Sequence, residues 1–340
     1  MKEERQKKCL FRTEAGSKSG LGHFSRCRAL ALKLFSAGYE VKFCGPGLEF
    51  ERFFGQETSF ELLPAYSEEK ASFIEACLEG SLLKSLSGGF LILDSYSFSG
   101  LDLKLMSNAC KKHAVVFVMI DDLADREIQA DFLINPNPAA SDSWYAGMAI
   151  KKVFTGASYT LIRPEITDLK RTYDPSGPVL ITLGGSQAEK DLIALLETVP
   201  DEYFRKIYLS FPSATENLES YVSDSSLKLV LNRDSAKFPE LLTKASLAVT
   251  AGGTALWEVC CLGLPCAVHI LVDNQRKSVK TIKEHEIAFL LDFSLNLGSL
   301  LLDFERKPEK FLEQVPKQKA LIDGKGAERA VKNIFEAQYP

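Results

Sequence analysis

Phe11-Arg12-Thr13-Glu14-Ala15-Gly16-Ser17-Lys18-Ser19-Gly20-Leu21-Gly22-His23-Phe24-Ser25-Arg26-Cys27-Arg28 is the stretch whose reading decides the fold. The apolar run Cys9 to Phe11 reads as a first strand. A glycine-containing loop follows, and Phe24 to Ala37 reads as an amphipathic helix ended by Gly38. Strand, glycine loop and helix together offer backbone N–H groups and a helix N-terminus to an anion. His23 stands at the helix entrance, directly after Gly20-x-Gly22, where the positive end of the helix dipole favours a neutral imidazole. A neutral imidazole near pH 7 is what a general base must be. Taken alone, a histidine that only caps a helix is the simpler reading. Gly16, Gly20 and Gly22 do not form G-x-G-x-x-G, and no G-x-x-x-x-G-K-[ST] occurs, so neither nucleotide fingerprint is met.

The wider chain bounds the answer. With 340 residues, two domains are the natural expectation. Hydrophobic residues at 46% and charged ones at 25% are ordinary for a globular protein. A net charge of −4 and a pI near 5.8 argue against general nucleic-acid or membrane-surface binding, so an anionic ligand would need a local nest of donors. Eight cysteines fit no C-x-x-C or zinc spacing and lie mostly in apolar runs. Buried free thiols in a reducing compartment follow. The charged start, Met1 to Lys8, precedes only three apolar residues, which makes no signal peptide, and no apolar run reaches the length of a membrane span. The expected location is cytoplasmic.

Along the chain, Glu40 to Cys44 reads as a second strand and Phe60 to Leu63 as a short one. Phe90 to Asp94 is too short for a helix and apolar until its final carboxylate, the pattern of a parallel strand buried on both faces. A helix over Leu101 to Lys112 leads to further strands at Ala114 to Ile120 and Asp131 to Asn135. Asp94, Asp121, Asp122 and Asn135 fall at strand ends, where ligands of doubly wound sheets gather; singly, each is as well a turn or cap residue. The polar, turn-rich stretch 171–178 is the best linker. A second α/β series follows, with strands at Val179 to Leu183, Ile207 to Ser210, Leu227 to Leu231, Ala248 to Ala251 and Cys266 to Val272. The expected domains are therefore 1–170, carrying the histidine loop, and 179–340, carrying a nucleotide site, with the last helix (Gly326 to Ala337) free to pack back on the first. A ligand between two such domains would close them, with 171–178 as one hinge strand.

Thr250-Ala251-Gly252-Gly253-Thr254-Ala255-Leu256-Trp257-Glu258 is the counterpart of the opening stretch. Its two glycines let a phosphate approach the backbone, and the next helix presents N–H groups to it. Thr254 is expected at the N-cap, and Glu258, one turn later, could accept from ribose hydroxyls. Gly184-Gly185-Ser186 is a third candidate loop, and Asn274 and Gln275 supply amides at another strand end. His113, His269 and His285 have no partner at ligand spacing, and no metal motif is present.

Here an ordered set of motifs carries a resemblance. FRTEAGSKSGLGHFSRCRALA, the DD pair at 121–122, ADFLINPN at 130–137 and GASYTLIRPEI at 156–166 belong to it. So do VLITLGGS at 179–186, TAGGTALWEVCCLGLP at 250–265, DNQ at 273–275 and DGKGAERAV at 323–331. Together they resemble the UDP-2,4-diacetamido-2,4,6-trideoxy-β-L-altropyranose hydrolases of pseudaminic acid biosynthesis, relatives of the peptidoglycan N-acetylglucosaminyltransferase. The match runs from Phe11 to Val331 and is weak between Pro46 and Gly89.

The resemblance implies a GT-B fold, two Rossmann-like doubly wound domains with the active site in the cleft between them. It implies release of UDP by water attack at the anomeric carbon with inversion, without metal or cofactor, in a monomer. By position, His23 matches the catalytic histidine. Gly20, Gly22 and Arg26 match the loop around it, with Arg12 and Asp94 nearby. Gly184, Gly185, Gly252, Gly253, Thr254 and Glu258 match UDP-binding segments, Asn274 and Gln275 lie near sugar and phosphates, and Tyr159 and Arg163 match a hinge-side motif. Glu14 and Gln187 stand where the family often has Asp, which leaves the sugar less certain than the reaction. A glycosyltransferase of the same fold and a nucleotide-sugar binder without turnover are the alternatives, since fold does not fix reaction.

Overall fold

The computed structural model describes residues 7–15, 22–46, 59–63, 70–183, 188–212, 214–271, 275–292 and 296–338. The chain divides into two compact units, Met1–Arg163 with Lys325–Pro340, and Pro164–Gly324. In the first, the strands are β1 (Lys8–Thr13), β2 (Glu40–Cys44), β3 (Glu61–Leu62), β4 (Phe90–Asp94), β5 (Val116–Ile120), β6 (Gln129–Asn135) and β7 (Ala149–Thr155). They form one seven-stranded sheet in the order β3-β2-β1-β4-β5-β6-β7. Every pairing is parallel.

Alternation along each strand explains why these runs read as wholly apolar. Cys9, Phe11, Phe90 and Ile92 enter a core on one face, and Leu10, Leu91 and Leu93 enter a core on the other. A parallel sheet covered on both faces needs apolar side chains at both parities. The chain order reverses between β1 and β4, which pair in register from Cys9 with Phe90 to Thr13 with Asp94. That switch point is where the first loop and helix Gly22–Ser36 begin.

The second unit repeats the arrangement with β8 (Val179–Thr182), β9 (Ile207–Ser210), β10 (Leu229–Asn232), β11 (Leu247–Ala251), β12 (Cys266–His269) and β13 (Phe289–Leu291). Its six-stranded sheet runs β10-β9-β8-β11-β12-β13, again all parallel. Here the order reverses between β8 and β11. Helix Thr254–Leu262 leaves the end of β11 and stops at Gly263, whose left-handed backbone (φ 66°) closes it.

The division falls at Arg163 and Pro164, ahead of the 171–178 stretch expected as linker. Arg171 shows why: its Nη2 donates to Ala245 O at 2.6 Å and its Nη1 to Gly263 O at 3.3 Å, lacing that stretch into the second unit. The tail returns to the first unit. Ala327, Ala330, Val331, Ile334 and Phe335 join the core that holds Phe11, Leu34 and Phe90. The Phe335 ring lies tilted to Phe90 at 4.7 Å and edge-on to Tyr39 at 6.2 Å, between ring centroids. All eight cysteines are free, and all but Cys261 are buried. Among the described residues no helix is long and apolar enough to cross a membrane.

Phe335→Ala removes a fully buried ring from that core and is expected to cost about 3 kcal/mol or more. Urea unfolding of the full chain checks it, and a midpoint equal to the parent's would show that the tail does not hold the first unit together.

Candidate active site

In the first unit the polar residues at the strand ends converge on Asp94. This carboxylate terminates an apolar strand and is itself fully buried, so it must be paired to remain charged. Arg26, one turn into helix Gly22–Ser36, supplies two prongs, Nε to Asp94 Oδ2 at 2.6 Å and Nη2 to Oδ1 at 2.7 Å. Its third nitrogen, Nη1, donates to Asp122 Oδ2 at 2.6 Å. Tyr96 donates its hydroxyl to the other Asp122 oxygen at 2.7 Å, and its ring stands edge-on to His23 with centroids 4.3 Å apart. His23 Nδ1 lies 2.6 Å from Asp94 Oδ1 and 3.1 Å from Arg26 Nη2.

Charge decides the tautomer. Burial alone would push the Asp94 carboxyl up, yet the Arg26 charge, followed by His23, holds it well below the ordinary carboxylate range. Burial likewise opposes the Arg26 cation, but Asp122 and Asp94 outweigh it and hold the guanidinium well above its ordinary value. Asp122 resists burial in the same way through Arg26 and Tyr96. A deprotonated Asp94 only accepts, so a 2.6 Å contact places the proton on His23 Nδ1. Arg26 Nη2 then serves Asp94 rather than the imidazole. In the neutral ring Nε2 is left as the acceptor, which makes a base with an orienting carboxylate behind it.

A second network braces the first. Tyr145 donates to Asp121 Oδ2 at 2.7 Å, Asn135 Nδ2 donates to Tyr145 at 2.7 Å, and Ala124 N caps the same Asp121 oxygen at 2.8 Å. Burial raises the Asp121 carboxyl, partly offset by these bonds. The adjacent aspartates therefore do different work: Asp121 shapes the strand-end turn and Asp122 joins Arg26. Glu14 accepts from the hydroxyls of Ser95 and, at 2.8 Å, Ser97.

Several expected ligand contacts are placed elsewhere. Arg12 is 1% exposed, its guanidinium 5.4 Å above the Phe73 ring and 5.9 Å from Phe98, with Nη1 on Thr13 O at 3.0 Å. Its side chain is buried within the first unit. Arg26 is engaged by Asp94 and Asp122. Tyr159 accepts from Asn333 Nδ2 at 2.9 Å and packs on Phe154, which ties down the tail. Arg163 closes the first unit at the boundary with Pro164.

In the second unit, Gly253, not Thr254, is the N-cap of helix Thr254–Leu262; its backbone is extended and no side chain caps the helix. The first-turn N–H groups thus have no side-chain acceptor of the usual kind. A Cβ on Gly253 would meet nothing within 4 Å, whereas one on Gly252 would lie 3.0 Å from Ile270 Cδ1 and 3.2 Å from Gln275 Cβ. Gly252 is closely packed, and among the described residues Gly253 faces open space. Gln275 Oε1 accepts from Leu271 N at 3.1 Å, so that amide shapes the turn after β12. Glu258 is 3% exposed on the helix. Gly22 begins the histidine helix, while Gly20, Gly184, Gly185, Asn274 and Gln187 lie outside the described residues.

Two Rossmann-like parallel sheets, of seven and six strands with helices, match the GT-B glycosyltransferase fold. Among solved structures the chain is similar to MurG of Acinetobacter baumannii, with TM-score 0.62, 14% identity and 97% and 99% of the two chains covered. It is equally similar to the forosaminyltransferase SpnP, with TM-score 0.63, 14% identity and 98% and 100% covered. Curated relatives are more distant than a family assignment needs. The spore coat polysaccharide biosynthesis protein SpsG of Bacillus subtilis is 21% identical over 346 residues, covering 96% of this chain and 98% of that protein. The UDP-2,4-diacetamido-2,4,6-trideoxy-β-L-altropyranose hydrolase of Campylobacter jejuni is 25% identical over 289 residues, covering 83% and 99%. No protein-family model matches the chain.

Asp94→Asn strips Arg26 of its main partner in a buried site and is expected to destabilise by about 3 kcal/mol at pH 7. Because the folded-state carboxyl is held below its ordinary value of 3.8, this contribution is present above that pH and is lost as pH falls through the folded value. Denaturant titrations at pH 7 and at pH 3 check both statements: the gap between parent and variant narrows below pH 3.8 but most of it persists at pH 3, where the folded carboxyl is still ionised.

Proposed function

We propose that the chain is a nucleotide-sugar hydrolase that releases UDP from a UDP-linked 2,4-diacetamido-2,4,6-trideoxy sugar by water attack at the anomeric carbon. The observation that carries this reading is the buried Asp94 carboxylate on His23 Nδ1, which leaves Nε2 as a base toward water. The Campylobacter relative, whose name states that activity, supports the substrate class. The GT-B neighbours support the nucleotide-sugar chemistry more broadly.

As the water oxygen forms its bond to the anomeric carbon, a water proton passes to His23 Nε2 while Asp94 goes on accepting from Nδ1 and holds the ring in place. The bond from the anomeric carbon to the diphosphate breaks with its electron pair leaving on UDP. Attack opposite the leaving group inverts the anomeric centre. UDP is already a good leaving group, so the residues of the second unit are asked only for electrostatic help, which an uncapped helix N-terminus at Gly253 and Thr254 provides. Glu258 is assigned to the ribose hydroxyls.

A glycosyltransferase would bind the same donor and use an acceptor hydroxyl in place of water, and the glycosyltransferase neighbours keep it as the second reading. Incubation of the purified protein with a panel of UDP-sugars, in EDTA and without acceptor, separates them. The hydrolase releases UDP and an inverted free sugar, and His23→Ala loses roughly 10²–10⁴-fold in turnover. Tight UDP binding without release would contradict hydrolysis, and near-parental turnover by His23→Ala would remove the base assignment.

Gly253→Ala tests the nucleotide end independently. Its methyl group meets no atom of the described residues within 4 Å, so the melting midpoint should hold while UDP affinity falls roughly tenfold by calorimetry. Unchanged UDP affinity would place the diphosphate elsewhere.

A further inference from the structure

The geometry points to Asp122 as a positioning residue that acts through Arg26 to keep one net negative charge behind the His23 imidazole. This rests on the reading of His23 as the base. Asp94 has both oxygens on a single guanidinium, at 2.6 and 2.7 Å. A carboxylate so paired is close to neutral as a unit and stabilises an imidazolium weakly. Asp122 takes the remaining prong, Arg26 Nη1, at 2.6 Å. One cation then lies between two anions, a net charge of about −1, with Asp94 fully buried, Arg26 nearly so and Asp122 22% exposed.

The groups facing His23 can be named. Asp94 comes from the end of β4, Arg26 from the same helix as His23, and Tyr96 from the turn after β4. The Cys27 thiol touches Asp94 Oδ2 at 3.4 Å, and burial keeps it protonated. Tyr96 is a neutral donor, its phenol pushed well above the ordinary value by burial and by Asp122. Glu14, from beyond β1, accepts from the neutral hydroxyls of Ser95 and Ser97, and Arg126, whose Nη2 donates to Ser95 O at 2.9 Å, lies 3.4 Å from Asp121 Oδ1. Asp122 is the carboxylate that shares Arg26 with Asp94, and so the one that offsets the charge Arg26 cancels. Asp94 orients the ring, and Asp122 sets how readily it accepts a proton.

Four histidines make the test tractable, since imidazole signals can be followed by NMR across pH and His23→Asn identifies the one of interest. Asp122→Asn is expected to move the His23 midpoint to lower pH by about one unit. The acidic limb of the UDP-release profile should move the same way. Asp122→Glu, which keeps the charge, and Tyr96→Phe, which removes only the hydroxyl donor, should leave the midpoint near the parent's. An unchanged midpoint in Asp122→Asn overturns the inference. So does an equal shift in Tyr96→Phe, which would assign the effect to the tyrosine's placement. If Asp122→Asn does not fold, Asp122→Ser carries the same test. Failure of the proposed hydrolysis shows separately, as turnover retained in His23→Ala, because the NMR midpoint needs no substrate.

Discussion

The first unit depends on a carboxylate buried at the end of an apolar strand. Asp94 cannot stay charged there without a cation, and the cation cannot be buried without it; each is tolerable only because the other is fixed in place. The two-pronged contact with Arg26 sets the first turn of the histidine helix against β4. The His23 ring is then held by the same carboxylate, so the tautomer of the base follows from a pairing that the fold itself needs. Stability and chemistry share one interaction.

The two units use the same strand–glycine–helix device in opposite ways. In the first, the helix N-terminus is occupied by an imidazole and its counter-charges, and the cluster is net acidic. In the second, Gly253 leaves the helix end without a side-chain cap and with open space above it. An acidic site suits a neutral sugar and a water to be deprotonated, and an uncapped helix end suits a diphosphate. On the proposed function that division of labour lets a chain with a net charge of −4 handle an anionic substrate.

Much of the fold was legible because both sheets are parallel and buried on two faces. Phe90 to Asp94 and Ile207 to Ser210 were read to the residue. The strand Ala149–Thr155 was missed because it lies at a sheet edge, where Lys151 and Lys152 are exposed and break the apolar pattern. His23 was singled out from its place at a helix entrance and from the resemblance, and Asp94 from its place at a strand end. Tyr96 was not, since only tertiary folding shows its ring against His23. Arg12 and Arg26 were read as substrate- or UDP-binding from the resemblance, and in the fold one lies over phenylalanine rings and the other between aspartates. A lone sequence shows a cation without showing what neutralises it. The adjacent Asp121 and Asp122 look alike in the chain and part only when Tyr145 claims one and Arg26 the other.

Turnover of the diacetamido-trideoxy UDP-sugar in ¹⁸O-labelled water, with both products weighed by mass spectrometry, tests the central claim most directly. Water activated by His23 at the anomeric carbon puts the label in the free sugar and none in UDP. Label in UDP would mean attack at phosphorus, and it would contradict the roles given to His23 and to the helix end at Gly253.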